Sequence, residues 1–361
     1  KLTFTVLNRL YVMDYPNGTA RRLTNSNHTE AMPIWSPDGG SIAYVTWEKK
    51  EGDIYKVNVS TGANTKLTRN GATYYDLGWD AKTNRIVFNY SPSQVFEDAY
   101  SPFFSSPSEN LAWISADGGD ITRIEKSNGR GNPHFVKADE RIYLFSGAKG
   151  LVSIRWDGTD EKVHLKVSGI TTFPAELGHT HCLMVHSETE PTPQPSQAEL
   201  ITMAPEGDQA LVQINNEIYV VTVPKTGGEV PNISVAKAEN AQFPARKLTT
   251  IGGQFPHWTA DAKRVNWSIG NAYFSYDIAQ AKVVEEQLKA EKKAKDKEKA
   301  KAEAEGKKPE EKKDEKKEED KSYKAAEVRV KVSVPRDVPT GVVLLRNARI
   351  ITMKGTEVFE K

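Results

Sequence analysis

The 361 residues carry 49 Lys plus Arg against 48 Asp plus Glu, a formal charge of +1, so bulk charge asks for no nucleic acid or other polyanion. A single cysteine, Cys182, excludes an intrachain disulfide and a cysteine zinc cluster. No run of about eighteen apolar residues occurs, which excludes a membrane-spanning helix.

The first residues, KLTFTVLNRLYVMDY, lack the basic start, long apolar stretch and cleavage site of a secretory signal and read as mature sequence. Up to Thr24 they predict middle and outer strands of a unit whose innermost strand is missing. Pro33 to Thr68 is the clearest full unit. It predicts a strand ending at Trp35, a turn at Ser36-Pro37-Asp38-Gly39, strands at Ile42–Trp47 and Ile54–Val59, and a short run closing on Leu67-Thr68. The pattern returns from Asp76, from Pro133, from Leu200 and from Phe255. Anchor residues Trp35, Trp79, Phe135, Met203 and Trp258 are 44, 56, 68 and 55 positions apart. The extra length falls in loops such as 91–108 and 176–198.

The last unit is interrupted by residues 282–321, rich in Lys, Glu and Ala. Glu and Lys at three- and four-residue spacing predict helix to about Glu305, with Gly306 and Pro309 ending it. The segment 285–321 holds 14 Lys against 14 acidic residues, which argues for a solvated excursion over an electrostatic docking arm. AAEVRVKVSVP then restores period-two alternation and predicts a returning outer strand. Pro335 and Pro339 mark an exit, and Val342–Met353 reads as an apolar strand opening something new.

Units of this length that cannot bury both faces alone predict an all-β fold, a β-propeller of about six four-stranded blades, with seven the alternative count. A β-sandwich or all-β solenoid fits the period less well. The implied layout is a propeller over 1–281, a helical or disordered insertion over 282–322, a returning strand over 323–335 and a separate β segment over 336–361.

Residues that could carry chemistry are few. His179, His181 and His186, with Cys182, lie close enough to supply metal ligands, though their loop-like setting favours an ordinary surface role. His134 and His257 hold equivalent places in NPHF and FPHW. They are packing residues of a blade edge or, if they line the central channel, binding residues. Asp38, Asp139, Asp208 and Asp261 sit at blade turns and read as turn formers whose carboxylates accept backbone hydrogen bonds. There is no G-x-S-x-G, no H-E-x-x-H, no phosphate loop and no aromatic-basic face for nucleic acid. No complete catalytic site is legible and no cofactor is expected within this segment.

WSPDGGSIAYV together with TGANTKLT resembles the TolB-type propeller repeat, shared with tricorn-like and oligopeptidase propellers. The segment LLRNARIITMKGTEVFEK resembles the opening strands of the amidohydrolase superfamily. This second resemblance implies a metal-bearing barrel, with a divalent metal such as zinc, whose ligands would all lie beyond Lys361. On that reading the chain is a fragment: the non-catalytic propeller of a metal-dependent hydrolase, restricting substrate access or mediating assembly. Its implied partners are the amidohydrolase-type domain and other copies of itself. The alternatives are a stand-alone TolB-like protein-interaction module and the propeller of an oligopeptidase-like serine hydrolase. The TolB resemblance also implies export to the periplasm.

Overall fold

Each repeat alternates β-branched or aromatic residues with polar ones and then stops at Asp, Asn or Gly, so the chain folds as short antiparallel strands. The structure, a computed structural model, describes all residues except 49–50, 98–109, 172–193, 226, 305–321, 337, 339, 343, 345 and 360–361. The candidates His179, His181, His186 and Cys182 lie outside the described residues. The chain divides into two compact units, Lys1–Lys331 and Val332–Lys361.

The first unit is a six-bladed β-propeller. Blade 1 has three strands, Leu2–Val6, Arg9–Met13 and Arg21–Arg22. Blade 2 runs Thr29–Trp35, Ser41–Trp47, Gly52–Asn58 and Asn64–Lys66, and blade 3 runs Thr73–Asp80, Arg85–Ser91, Asn110–Ser115 and Thr122–Lys126. Blade 4 holds Arg130–His134, Ile142–Ser146, Gly150–Ile154 and Lys162–Thr171. Blade 5 holds Leu200–Met203, Gln209–Ile214, Glu217–Thr222 and Ala245–Lys247. Blade 6 holds Gln254–Trp258, Arg264–Ile269, Ala272–Asp277 and Ala326–Arg329. In blade 4 the long outer strand also pairs with Gln194–Gln197 and, in parallel, with Asn232–Ser234. Part of the stretch expected as the loop 176–198 is therefore strand.

The buried apolar side chains gather at the seams between blades. Leu10, Val12 and Leu23 meet Ile42, Tyr44 and Val57 between blades 1 and 2. Val45, Ile54 and Leu67 meet Tyr74, Ile86 and Phe88 between blades 2 and 3. Val87 and Leu111 meet Ile142 and Leu144, Leu151 and Leu165 meet Ile201 and Val212, and Leu211 and Ile218 meet Val265 and Trp267 at the next three seams. Blades 1 and 6 meet through Tyr15 and Tyr273, whose rings lie edge-on at 5.7 Å.

A polar clip recurs where an outer strand ends. In blade 2 the Ile54 N–H donates to Thr68 Oγ1 at 3.2 Å, and Thr68 Oγ1 donates to Asp53 Oδ1 at 2.7 Å. The other carboxylate oxygen of Asp53 pairs with Lys66 at 2.8 Å. Blade 5 repeats it with Ile218 N–H on Thr249 Oγ1 at 3.1 Å, Thr249 on Glu217, and Lys247 on Glu217 at 3.0 Å. The recurring Lys-Leu-Thr in TKLT and RKLT is this clip. Blade 1 offers Arg22-Leu23-Thr24, but its acidic position is Arg9, and Thr24 Oγ1 is buried without a hydrogen-bond partner.

The turn after an inner strand is equally repetitive. Asp38 accepts from Ser36 Oγ at 2.5 Å and Gly40 N–H at 3.0 Å, with Gly39 at φ +70°. The degraded copy in blade 6 does the same: Asp261 accepts from Thr259 Oγ1 at 2.6 Å and Lys263 N–H at 3.1 Å, with Ala262 at φ +56°. These bonds hold both carboxyls below the usual aspartate range. Asp139 accepts from the Glu140 N–H at 2.7 Å, whereas at Asp208 it is the backbone carbonyl that receives Val223 N–H.

The helix of the last blade spans Ile278–Ala304. It starts earlier than the 282 boundary read from composition, because Asp277 caps it through the N–H groups of Ala279 and Gln280 at 3.1 and 3.0 Å. Arg246 of blade 5 ties down its beginning through Glu285 at 2.8 Å. Among the described residues the second unit contains one hairpin, Ile350–Ile351 with Val358–Phe359. Of the strand expected over Val342–Met353, the described residues form strand at Ile350–Ile351, while Val342 and Leu344 are exposed coil. An apolar strand needs a partner edge and a face to cover it, and a lone hairpin offers neither.

Two stability predictions follow from repeat positions that differ in chemistry. Thr68→Val orphans the buried Ile54 N–H and should cost about 1–3 kcal/mol in denaturant unfolding, while Thr24→Val should cost nothing measurable or stabilise, since that hydroxyl has no bond to lose. Ala262→Gly should raise the unfolding midpoint, gaining roughly 0.5–1 kcal/mol by relieving a left-handed alanine.

Candidate channel-wall site

The first strand of each complete blade is innermost, and from blade 2 to blade 6 each of these strands touches the next. Four of them carry the same irregularity. The pairing of inner and second strand slips between Ala31 and Ile34, Tyr75 and Gly78, Gly131 and His134, and Gln254 and His257. Within each slip one residue has left-handed backbone: Met32 (φ 50°), Asp76 (54°), Asn132 (52°) and Phe255 (54°). Proline follows three of these four. It has no N–H to lose, so it suits a point where the ladder is broken. Blade 5, with only Leu200–Met203 as inner strand, pairs in register throughout.

A bulge re-aims a side chain. Phe255 is 78% exposed and Met32 38%. Leu7 and Ile251 are 69% and 79% exposed, and Trp47 is also exposed. Leu7 lies in a hairpin between second and third strands, Trp47 at the end of a second strand, and Ile251 in the link entering an inner strand. Antiparallel topology puts all three at the end of the propeller where inner strands begin. Asp76 instead turns into the wall. It accepts from Asn132 N–H at 3.3 Å and Asn89 Nδ2 at 3.4 Å, and burial outweighs those bonds to raise its pKa. Blades 3 and 4 are so close here that a Cβ on Gly78 would sit 2.1 Å from the Pro133 carbonyl oxygen.

His134 and His257 follow their bulges by two residues, and each ring bonds back to the bulge carbonyl. His134 Nδ1 meets Asn132 O at 2.8 Å, and His257 Nδ1 meets Phe255 O at 3.1 Å. Carbonyl oxygens only accept, so each ring carries its proton on Nδ1. The Nε2 atoms differ. That of His134 accepts the Met203 N–H of blade 5 at 2.8 Å, while that of His257 meets the Tyr273 hydroxyl at 3.2 Å. His134 is half-buried, with both nitrogens facing backbone groups, and desolvation pushes its pKa down to about 4. His257 is exposed by surface area, yet the concave wall crowds it, and its pKa is lowered for the same reason. His134 is thus a strut between blades, and His257 is the one of the pair with an open side.

One arrangement mimics a nucleophile and base. Ser153 Oγ lies 2.7 Å from His164 Nε2. Ser153 is fully buried, however, and its Oγ also accepts Arg141 Nε–H at 2.8 Å. No substrate carbonyl could reach it, so the pair braces blade 4. Among the described residues no three His, Cys, Asp or Glu side chains converge as metal ligands. Sequence reading singled out His134 and His257 but not Met32, Asp76 or Phe255; for Met32 and Phe255 the recurring X-Pro after a strand start was the available signal.

Residues 4–130 match the family model described as the dipeptidyl peptidase IV (DPP IV) N-terminal region. A TolB homologue from Chlorobaculum tepidum is 28% identical over 120 residues, 33% of this chain and 24% of that protein. The Tol-Pal system protein TolB of Legionella pneumophila is 39% identical over 59 residues, 16% of this chain and 14% of its own length. The chain thus spans a quarter or less of these relatives. Among solved structures, TolB from Acinetobacter baumannii superposes with a TM-score of 0.47 at 13% identity, covering 74% of this chain and 56% of that one. An oligogalacturonate lyase from Vibrio parahaemolyticus gives 0.42 at 10% identity, covering 75% and 69%. The first unit of this chain is a TolB-like β-propeller.

Proposed function

We propose that this propeller is a non-catalytic protein-interaction module that holds its partner at the end of the ring where the inner strands begin. The observation that carries the reading is the set of large apolar side chains left in water: Leu7, Trp47 and Ile251 at that end, with Met32 and Phe255 on the bulges of inner strands. Three of them, Leu7, Met32 and Phe255, have left-handed backbone, where a bulky side chain costs conformational energy that packing does not recover. Exposed apolar groups of this size are the kind of anchor that partner proteins bury. Similarity to TolB proteins, one of them named for the Tol-Pal system, supports the same reading and a periplasmic setting. No helix among the described residues is long and apolar enough to cross a membrane.

A second reading keeps the propeller beside a metal-dependent hydrolase of the amidohydrolase type. Its support is the resemblance of the sequence LLRNARIITMKGTEVFEK to the opening of that superfamily, beside a hairpin that leaves Ile351 and Phe359 exposed. The serine-hydrolase alternative draws on the dipeptidyl peptidase match over residues 4–130. The gene read through on both sides separates the three: a downstream His-x-His on a strand, a downstream G-x-S-x-G, or neither.

The interaction reading is tested with Phe255→Asp and Ile251→Asp in the full protein, tagged and expressed in its native host. Loss of two apolar anchors should lower recovery of a crosslinked partner by roughly tenfold or more, with unchanged circular dichroism. Equal recovery by wild type and the double variant would sink it.

A further inference from the structure

The bond between His134 and Met203 joins two blades and fixes a protonation state. The donor at Met203 is a backbone N–H and the acceptor at Asn132 a backbone carbonyl, so neither can exchange roles. Only the neutral ring protonated on Nδ1 satisfies both. A second proton on Nε2 would face the Met203 N–H head-on, and one bond must break. His257 has the same place in blade 6 without this constraint, because the Tyr273 hydroxyl can turn from donor to acceptor. His164, in the same layer as His134, meets the Ser153 hydroxyl, which is equally able to turn.

The strand at the other end of the bond is the weakest inner strand of the complete blades. Leu200–Met203 has four residues and no bulge. It is pinned from both sides, by His134 of blade 4 and by Trp258 of blade 6, whose Nε1–H donates to Thr202 O at 3.3 Å. Beside it, at the inner edge of the seam between blades 4 and 5, Lys137 N–H donates to Pro205 O at 2.9 Å, whereas the outer edge is held separately by the pairing of Lys162–Thr171 with Asn232–Ser234.

We propose that the His134–Met203 bond is a proton-sensitive latch: protonation of His134 releases the inner strand Leu200–Met203 from blade 4 and loosens the inner edge of the seam between blades 4 and 5. The charged and titratable groups around it do not offset that proton. Tyr143, its ring centroid 5.8 Å from His134, turns its hydroxyl to Asp139 at 2.9 Å. His164 stacks on the far side of Tyr143 at 5.1 Å and would add like charge. Arg141 is held by Asp160 and Ser153. From blade 3, Asp76 is engaged by Asn132 and Asn89, and Lys82 donates to the Asp139 carbonyl at 2.9 Å. From blade 5, Glu206 is paired with Lys137. The latch stands apart from the partner-binding reading above.

The sign follows from linkage. The folded ring binds its proton less readily than an open one, so opening takes up a proton, and stability present above about pH 6.5 is lost as pH falls toward about pH 4. Hydrogen exchange at the Met203 amide of the full chain, corrected for intrinsic rate, reads this directly. Protection should fall roughly twentyfold to thirtyfold from about pH 7.5 to about pH 5. In His134→Gln, whose amide can serve both neighbours without titrating, the fall should vanish; in His257→Gln it should persist. A flat wild-type profile, a fall that survives in His134→Gln, or one abolished by His257→Gln overturns the latch. The wild type alone supplies a second readout from ring-nitrogen NMR. Titration of His134 near the ordinary histidine value with the Met203 amide still protected also overturns it.

Discussion

A four-stranded blade has two apolar faces, and neither can be left to water. Every other feature of the first unit answers to that constraint. Each buried cluster among the described residues draws its side chains from two consecutive blades, so no blade owns a core of its own. Tyr44, Tyr74 and Phe88 are each fully buried and sit at seams where flat rings fill the wedge between twisted sheets. The stability of one blade is therefore a property of its neighbours, as in other repeat architectures. Polar devices at the strand ends only fix register; they act where the wedge has already brought the strands together.

That division explains what could be read from sequence. Alternation in SIAYVTW and the spacing of Trp35, Trp79, Phe135, Met203 and Trp258 report strands and their repeat, because both follow from burial on two faces. The Asp38 turn was visible too, and Asp261 preserves its bonds after most of its letters changed. The extra pairing of Lys162–Thr171 with Asn232–Ser234 was not visible, since it joins segments more than sixty positions apart with no local pattern to mark it. Helix chemistry was legible in 282–304, but its start was not, because the cap Asp277 is also the last residue of a strand.

The wall of the ring was harder to read for a specific reason. Strand periodicity assigns alternate residues to opposite faces, and a bulge inverts that assignment from one residue onward. Phe255, read by alternation, belongs in the core; the left-handed turn in its own backbone puts it into water instead. The same shift brings His134 to the seam, where sequence equivalence with His257 suggested one role for both. Their difference lies in the partner of Nε2, a backbone amide in one case and a phenol in the other. No repeat alignment carries that information, because Met203 comes from the one complete blade whose inner strand lacks the bulge.

Blade 1 shows what happens when a repeat loses one of its parts. Its clip cannot form because Arg9 stands where Asp53 and Glu217 stand in blades 2 and 5, and the Arg9 guanidinium turns away to His28 O at 2.7 Å. The N–H of Leu10, equivalent to those of Ile54 and Ile218, then needs another acceptor. Glu30 of the neighbouring blade provides it: its Oε2 receives Leu10 N–H at 2.7 Å in a side chain only 1% exposed. Burying a carboxylate to satisfy one amide is expensive chemistry, and its second oxygen has no hydrogen-bond partner among the described residues. The fold accepts it because an unsatisfied strand N–H at that depth would open the first seam from within. Where blades 2 and 5 settle the account inside one sheet, blade 1 settles it across the seam. The inner strand of blade 2 thereby becomes part of two blades at once.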